Sequence, residues 1–138
     1  MIAYNFLVER ENFVDAGVVS SKVKRVLKQI GIPSSVLRNI AVACYEAEIN
    51  MIIHSHGGEV ILEIDEEGNV KLVFADVGPG IPDVEKALTP GWSTASEQAR
   101  QMGFGAGMGL VNIKRVSDTF DLQTSSSGTT ITITFRVA

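Results

Sequence analysis

Four glycines at alternate positions constrain the fold of this chain more than any other feature. They are Gly103, Gly105, Gly107 and Gly109. Glycine has no Cβ, so its backbone adopts positive φ and approaches an anion closely. An amphipathic stretch, Val111 to Val116, follows and is typical of a helix, whose free N–H groups and dipole favour an anion at its start. The segment therefore predicts a phosphate-binding turn that leads into a helix.

The two common glycine-rich nucleotide motifs do not fit this segment. No Gly-Lys-Ser or Gly-Lys-Thr follows it, so the lysine of a P-loop is missing. Residues 85–102 before it are polar, whereas a dinucleotide-binding turn follows a buried strand. A flexible linker is the alternative, but linkers lack the apolar residues that separate these glycines. The glycine segment alone does not identify which nucleotide is bound.

Composition narrows the class of protein. A chain of 138 residues with 45% hydrophobic and 20% charged residues is predicted to form one domain, residues 1–138, with its own core. The net charge of −4 disfavours a nucleic-acid or anionic-membrane partner. The single cysteine, Cys44, rules out a disulfide within the chain. With no signal-like N-terminus and no apolar run of about 18 residues, we expect a cytoplasmic protein.

Hydrophobic periodicity predicts three helices and five strands. The strands are Ile2 to Val8, Glu59 to Asp65, Val70 to Asp76, Phe120 to Ser125 and Thr129 to Val137; the helices start at an Asn12 cap, at Ser34 or Ser35, and after the glycines. We expect an α+β two-layer sandwich, with helices on one face of a mixed, mostly antiparallel sheet. A period of two along the strands turns Asp76 and Thr129 inward.

Asp76 is the first candidate for nucleotide recognition. It ends an apolar strand, where a carboxylate is costly to bury without a hydrogen bond. It leads into Gly78, Pro79, Gly80 and Ile81, which allow a flat group to slide against the backbone. A carboxylate accepts from the amino group of adenine and repels the oxygen of guanine. The alternative is an aspartate that only caps its own Gly-Pro turn.

The second helix carries polar residues at Glu46, Asn50 and His54, spaced by four, so that they share one side. Glu46 can accept a proton, and the Asn50 amide oxygen suits Mg²⁺. The alternative is a solvated helix face, and His54 near the helix end often only complements the dipole. Glu48 is expected on another wet side of the helix, away from Glu46.

These elements together resemble the motifs of the GHKL ATPases, which share the Bergerat ATP-binding fold. The resemblance rests on Glu46 and Asn50, on Asp76 with Gly78 and Gly80, on the Gly103 to Gly109 segment and on Gly128-Thr129. It covers nearly the whole chain. Within the superfamily the sequence is most similar to the small serine kinases of bacterial partner-switching systems, which include anti-sigma factors.

The resemblance implies a role for each matching residue. Asp76 and Thr129 would bind adenine, Gly78, Gly80 and Ile81 would line the base and ribose, Asn50 would hold Mg²⁺, and Glu46 would be the general base. The remaining implied nucleotide contacts are His54, Ser93, Thr94, Gly103, Gly105, Gly107, Met108, Gly109 and Leu110. Residues 89–103 would form a lid over ATP.

The implied activity is transfer of the ATP γ-phosphate to a serine of a STAS-type antagonist protein. The segments GWST, GFGAGMGL and NIKRVSDTF are more similar to those of the switch kinases that act upstream of a phosphatase than to those of the anti-sigma kinases. Two alternatives are a nucleotide-dependent module that sequesters a sigma factor or docks on a signalling complex, and a bare ATPase subunit. Likeness to the family also suggests a homodimer through the first strand and helix.

Overall fold

Five antiparallel strands form the sheet in the part of the chain that the structure describes. The computed structural model describes residues 2–10, 13–81, 84–88 and 109–137. The strands are β1 (Ile2–Glu9), β2 (Gly57–Ile64), β3 (Val70–Asp76), β4 (Thr119–Ser125) and β5 (Gly128–Phe135). Their order is β1-β2-β3-β5-β4, and every ladder among the described residues is antiparallel. The predicted two-layer α+β fold is confirmed, and the described pairings include no parallel pair.

The helices are α1 (Val18–Gln29), α2 (Ser34–His54), α3 (Val84–Ala87) and α4 (Gly109–Val116), with a 3₁₀ turn at Phe13–Asp15. Helix α2 is central because it contacts α1, α4 and the strands β1, β2 and β3. The three predicted helices are present. The short α3 falls in a stretch whose Gly and Pro residues predict only turns.

One face of the sheet carries the core. The buried side chains alternate along the strands: Val60, Leu62 and Ile64 on β2, Leu72 and Phe74 on β3, and Thr129, Ile131, Ile133 and Phe135 on β5. Side chains of the three longest helices join the same hydrophobic cluster. The opposite face is only partly covered, as at Val73 and Thr132. The prediction of helices on one face is therefore confirmed.

A carboxylate from α2 binds the N-terminus of α1. The backbone N–H groups of Gly17, Val19 and Ser20 donate to the Glu48 carboxylate at 3.1, 3.2 and 2.9 Å. Gly17 is the N-cap residue, with φ 93°, so the predicted Asn12 cap was wrong; Asn12 itself lies outside the described residues. The expectation that Glu48 is solvated was also wrong, because its side chain satisfies otherwise unpaired helix donors.

Burial decides the ionisation of this region. Glu48 is only 2% exposed. Burial raises its pKa, and the three hydrogen bonds from the backbone oppose that shift. Burial and the neighbouring Glu48 raise the pKa of Cys44, so its thiol stays protonated. Glu48 thus holds two helices together, and Cys44 is a core residue.

Replacing Glu48 should therefore weaken the whole domain. Glu48→Gln turns one accepting oxygen into a donor that faces backbone N–H groups. We expect the free energy of unfolding to fall by about 2 kcal/mol, the scale of a buried polar group left unpaired. Urea denaturation of Glu48→Gln and of Glu66→Gln, an exposed hairpin glutamate, measures the difference. Equal stability of the two variants would contradict this role of Glu48.

Candidate functional site

The end of α2 and the end of β3 are tied together. The His56 N–H donates to Val77 O at 2.7 Å, and the Val77 N–H donates to Gly57 O at 3.0 Å. At Gly58 a Cβ atom would lie 2.7 Å from the Asp76 Cα, a separation that side chains do not tolerate. Glycine at this position lets the strands approach. The connection places the last turn of α2 beside Asp76.

Asp76 is held by the β4–β5 hairpin. The Thr129 N–H donates to Asp76 Oδ1 at 2.8 Å. At Gly128 a Cβ atom would lie 2.2 Å from the Asp76 backbone oxygen, so the hairpin packs directly on β3. Within the described residues Asp76 caps no amide of its own turn, and Oδ2 accepts no hydrogen bond. One carboxylate oxygen is therefore available to a ligand donor.

The environment of Asp76 changes its ionisation. Its carboxyl is half-buried, and burial raises its pKa, whereas the Thr129 hydrogen bond and the charge of His56 lower it. The side chain of Thr129 is 5% exposed. Both residues occupy the inward face of the sheet, as the strand period predicts.

The turn after β3 rests on the same hairpin. The Gly78 N–H donates to Ser127 O at 3.1 Å, and the Ile81 N–H donates to the Thr124 hydroxyl at 2.8 Å. Gly80 has φ 76°, and a Cβ there would lie 2.0 Å from a backbone oxygen of β4. The turn is thus shaped by backbone contacts. Sequence reasoning missed Thr124, which stands in an ordinary polar strand.

A second group of predicted residues meets at the start of α4. A Cβ at Gly109 would lie 3.1 Å from Asn50 Oδ1 and 3.3 Å from Glu46 Oε2. The Asn112 side chain hydrogen-bonds Glu46, and Asn112 Oδ1 accepts from Arg115. Asn112 was not predicted. Its spacing of three from Gly109 places it near the same side of α4, which is the available sequence signal.

Glu46 has the ionisation expected of a proton acceptor in a confined site. The residue is half-buried, and burial raises its pKa, whereas the hydrogen bond from Asn112 lowers it. A carboxylate with a raised pKa holds a proton more readily at neutral pH. Glu46 and Asn50 lie on one side of α2, as predicted, and Glu48 lies on another.

The other predicted residues fall into two groups. His54 ends α2 as an exposed residue, and partial desolvation of its ring lowers its pKa. Leu110 is buried in the core, so only its backbone is available to a ligand. The predicted residues Ser93, Thr94, Gly103, Gly105, Gly107 and Met108, and the predicted lid at 89–103, lie outside the described residues.

Two features of the described part of the chain bear on the class of protein. No helix there is long and apolar enough to cross a bilayer. Nor do His, Cys, Asp and Glu side chains in those residues form a metal-binding group of three or more. A metal held there would need other ligands, and an amide oxygen such as that of Asn50 is one.

Comparison with known proteins gives a consistent result. Residues 14–135 match the family model described as the histidine kinase-like ATPase domain. The chain is 30% identical to the serine/threonine-protein kinase RsbT of Bacillus subtilis over 112 residues, 78% of each chain. It is 30% identical to an anti-sigma F factor of Thermoanaerobacter over 139 residues, 97% of this chain and 92% of the relative.

A solved structure supports the fold. The RsbU and RsbW domains of a Mycobacterium tuberculosis protein superpose with a TM-score of 0.69 at 19% identity. The match covers 99% of this chain and 33% of that one. Because the family model spans most of the sequence and these relatives agree with it, the chain belongs to the histidine kinase-like ATPase (GHKL) family.

Proposed function

We propose that this protein is a Mg²⁺-ATP-dependent serine/threonine-protein kinase of a bacterial partner-switching system. Its substrate is a serine on a STAS-domain antagonist protein. The observation that carries the proposal is the contact of Glu46 and Asn50 with Gly109, the first residue of α4. A proton acceptor, a metal ligand and a helix N-terminus meet there, and phosphoryl transfer needs little more.

The Asp76 region fits adenine. Asp76 Oδ1 is held by the Thr129 amide, and Oδ2 would accept from the adenine amino group. Gly78, Gly80 and Ile81 line the base and ribose in this proposal, because their turn directly follows Asp76 and is held by the β4–β5 hairpin. The packing of Gly80 on β4 leaves no room for a larger residue. The described residues thus fit an adenine nucleotide.

The α2–α4 contact fits the metal and the phosphates. Amide and carboxylate oxygens are the ligands that Mg²⁺ prefers, and Asn50 would hold it. When bound, ATP would supply the γ-phosphoryl group and Mg²⁺ would neutralise the charge of the phosphates. The backbone amides from Gly105 to Leu110 would hold the phosphates, with His54, Ser93 and Thr94 as further contacts and residues 89–103 as the lid. Residues 1–138 act as one domain in this proposal.

Glu46 is the proposed general base. It would accept the hydroxyl proton of the substrate serine as the oxygen attacks the γ-phosphorus of ATP and ADP leaves with the β–γ bridging oxygen. Burial raises its pKa and so strengthens it as an acceptor. Asn112 donates to Glu46 while receiving from Arg115, so it positions the carboxylate. The ordinary solvated face of a helix would not provide this arrangement.

The relatives support both the kinase and one alternative. RsbT is named a serine/threonine-protein kinase, which agrees with the proposed transfer. The anti-sigma F factor covers almost the whole chain, and it favours sequestration of a sigma factor as a second function. A binding module needs the Asp76 site but not Glu46, whereas a bare ATPase would use both, with Glu46 activating a water molecule instead of a serine. The net charge of −4 gives no reason to propose a nucleic-acid partner.

We also propose that the protein is a homodimer through β1 and α1. Strand β1 is an edge of the described sheet and carries exposed apolar side chains at Ile2, Tyr4 and Leu7. Leu7 is 79% exposed. A long apolar edge strand in water invites pairing with another chain. A second copy would cover both the edge and the neighbouring Val18 of α1.

Glu46→Gln should remove phosphoryl transfer and retain nucleotide binding. We expect the rate to fall by about 10²- to 10⁴-fold, the usual worth of a general base, with ATP affinity within about twofold because the amide keeps the shape of the side chain. The measurement is label on serine after incubation with labelled ATP, Mg²⁺ and the STAS-domain protein encoded beside this one. Full transfer by Glu46→Gln would refute its role as base.

The control for this assay is Asp76→Asn. The asparagine side chain is neutral, and its NH₂ group is a donor that would face the donating amino group of adenine. ATP binding should therefore weaken together with phosphoryl transfer. Loss of transfer without loss of binding in this variant would argue against the adenine contact. Wild-type protein that binds ATP but labels no serine would favour the binding module.

Glu46→Gln should also stabilise the free protein at alkaline pH. The folded pKa of Glu46 is raised, so folding opposes its ionised form and wild-type stability falls as pH rises through that pKa. Because glutamine does not ionise, the variant does not lose stability in this way. Urea denaturation from about pH 4.5, near the ordinary glutamate pKa, to about pH 8 measures the difference in free energy of unfolding between the variant and the wild type. This difference should become smaller as the pH falls. Glu66→Gln is the control, and a variant less stable than wild type at pH 8 would contradict the prediction.

Leu7→Lys should shift the dimer towards monomer. A charged side chain on the edge strand opposes burial of that strand against another copy. Sedimentation velocity measures the change, with Val42→Lys as an exposed apolar-to-lysine control on α2. Wild-type protein that sediments as a monomer at about 100 μM, well above the Kd of a stable complex, would overturn the dimer.

A further inference from the structure

Asn112 of α4 connects an arginine to the proposed general base. Its Oδ1 atom accepts a hydrogen bond from the guanidinium of Arg115, which lies one turn further along the same helix. Its side chain also hydrogen-bonds Glu46 across the contact between α2 and α4. The start of α4 lies at this contact, since a Cβ at Gly109 would be 3.3 Å from Glu46 Oε2. Two hydrogen bonds thus link Arg115 to Glu46 through one amide.

The chemistry of the two neighbours determines the direction of both hydrogen bonds. Arginine has five N–H donors and no acceptor, so the Asn112 atom that it contacts is the oxygen. A carboxylate only accepts, so the Asn112 atom that faces Glu46 is the nitrogen. Each bond has one charged partner, which makes it stronger than a bond between neutral groups. The Asn112 amide therefore has one orientation that satisfies Arg115 and Glu46 together.

Arg115 matters most while Glu46 holds a proton. In the proposed reaction the serine hydroxyl proton moves to Glu46 as the serine oxygen bonds to the γ-phosphorus, the bond to the β–γ bridging oxygen breaks and ADP leaves. Glu46 then passes the proton to water. A protonated carboxyl is itself a donor, and a free asparagine amide would turn its oxygen towards it. Because Arg115 occupies that oxygen, Asn112 remains a donor to Glu46 throughout the reaction.

We propose that Arg115 is a positioning residue for phosphoryl transfer: it holds the Asn112 amide with its NH₂ group towards Glu46 and so keeps the carboxylate aimed at the serine hydroxyl. The inference rests on the proposed kinase function and adds a residue that acts on Glu46 only through Asn112. The alternative role of Arg115 is that of a cation in the last turn of α4, where positive charge complements the helix dipole. Lys114 is exposed in the same turn and provides the matched control.

The first measurement is the single-turnover rate constant with labelled ATP, Mg²⁺ and the STAS-domain protein encoded beside this one. Arg115→Met removes the donors at an exposed position. We expect the rate constant to fall by about fivefold, the worth of one hydrogen bond. The Kd for ATP and the KM for the STAS-domain protein should stay within about twofold, because neither ligand loses a contact. Arg115→Lys, which supplies only donors, should keep most of the rate, and Lys114→Met should equal the wild type.

The second measurement needs no nucleotide. NMR follows the exchange of the Asn112 side-chain NH₂ protons with water in the free protein. Exchange should be about fivefold faster in Arg115→Met than in the wild type, because an amide that Arg115 does not hold leaves Glu46 more often. Lys114→Met should exchange like the wild type, and Arg115→Lys should stay close to it.

A double variant tests whether Arg115 acts through Asn112. Asn112→Leu removes both hydrogen bonds and keeps a side chain of similar size. Adding Arg115→Met to Asn112→Leu should change the rate constant by less than about twofold, since residues in one hydrogen-bond network are not additive. A further fivefold loss in the double variant would indicate that Arg115 acts independently of Asn112, and it would overturn the inference.

The other outcomes separate the inference from the proposed function. Arg115→Met with the wild-type rate constant or the wild-type exchange overturns the inference and leaves the proposed kinase intact. An equal loss of rate in Lys114→Met does the same, because the effect would then belong to the helix dipole. A raised KM with an unchanged rate constant in Arg115→Met would instead assign Arg115 to binding of the STAS-domain protein. Wild-type protein that labels no serine refutes the proposed function and the inference together.

Discussion

The burial of α2 between the sheet, α1 and α4 is the constraint on which the rest of the structure depends. Nine of the 21 residues of this helix are buried, and seven of those nine lie between Ala43 and Ile52. Polar groups on such a helix need partners, and each of the two glutamates has them. Glu48 accepts hydrogen bonds from backbone amides at the start of α1, and Glu46 accepts one from Asn112 of α4. The same helix therefore organises the core and presents a charged residue to the candidate site.

The second constraint is the close packing of the β4–β5 hairpin on the end of β3. Gly128 touches the Asp76 backbone and Gly80 touches β4, at distances that exclude a Cβ atom. Backbone contacts of this kind have few alternatives, so they define the position of the carboxylate more tightly than a flexible side chain would. A site built on strands and backbone bonds is also better preorganised for a flat base than one built on a loop.

Sequence reasoning predicted the features that depend on local signals. The β2–β3 hairpin and the extent of α2 follow from turn residues and periodicity, and both are confirmed. Glu48 was misplaced because the N–H groups that justify its burial come from residues 28 to 31 positions earlier. No pattern within α2 reveals them. The predicted Asn12 cap was wrong for the same reason, because the distant Glu48 side chain, and not a neighbouring one, accepts hydrogen bonds from the N–H groups at the start of α1.

The site shows the same division between local and distant information. Asp76 and Glu46 carry recognisable motifs, whereas Thr124 and Asn112 gain meaning only from contacts with Ile81, 43 positions earlier, and with Glu46. A strand threonine and a helix asparagine are each ordinary in sequence. Their hydrogen bonds decide how the motif residues are oriented, and orientation determines which atoms of a ligand are recognised. Motifs therefore indicate which groups a site contains, while selectivity between similar ligands depends on partners that the fold brings to them.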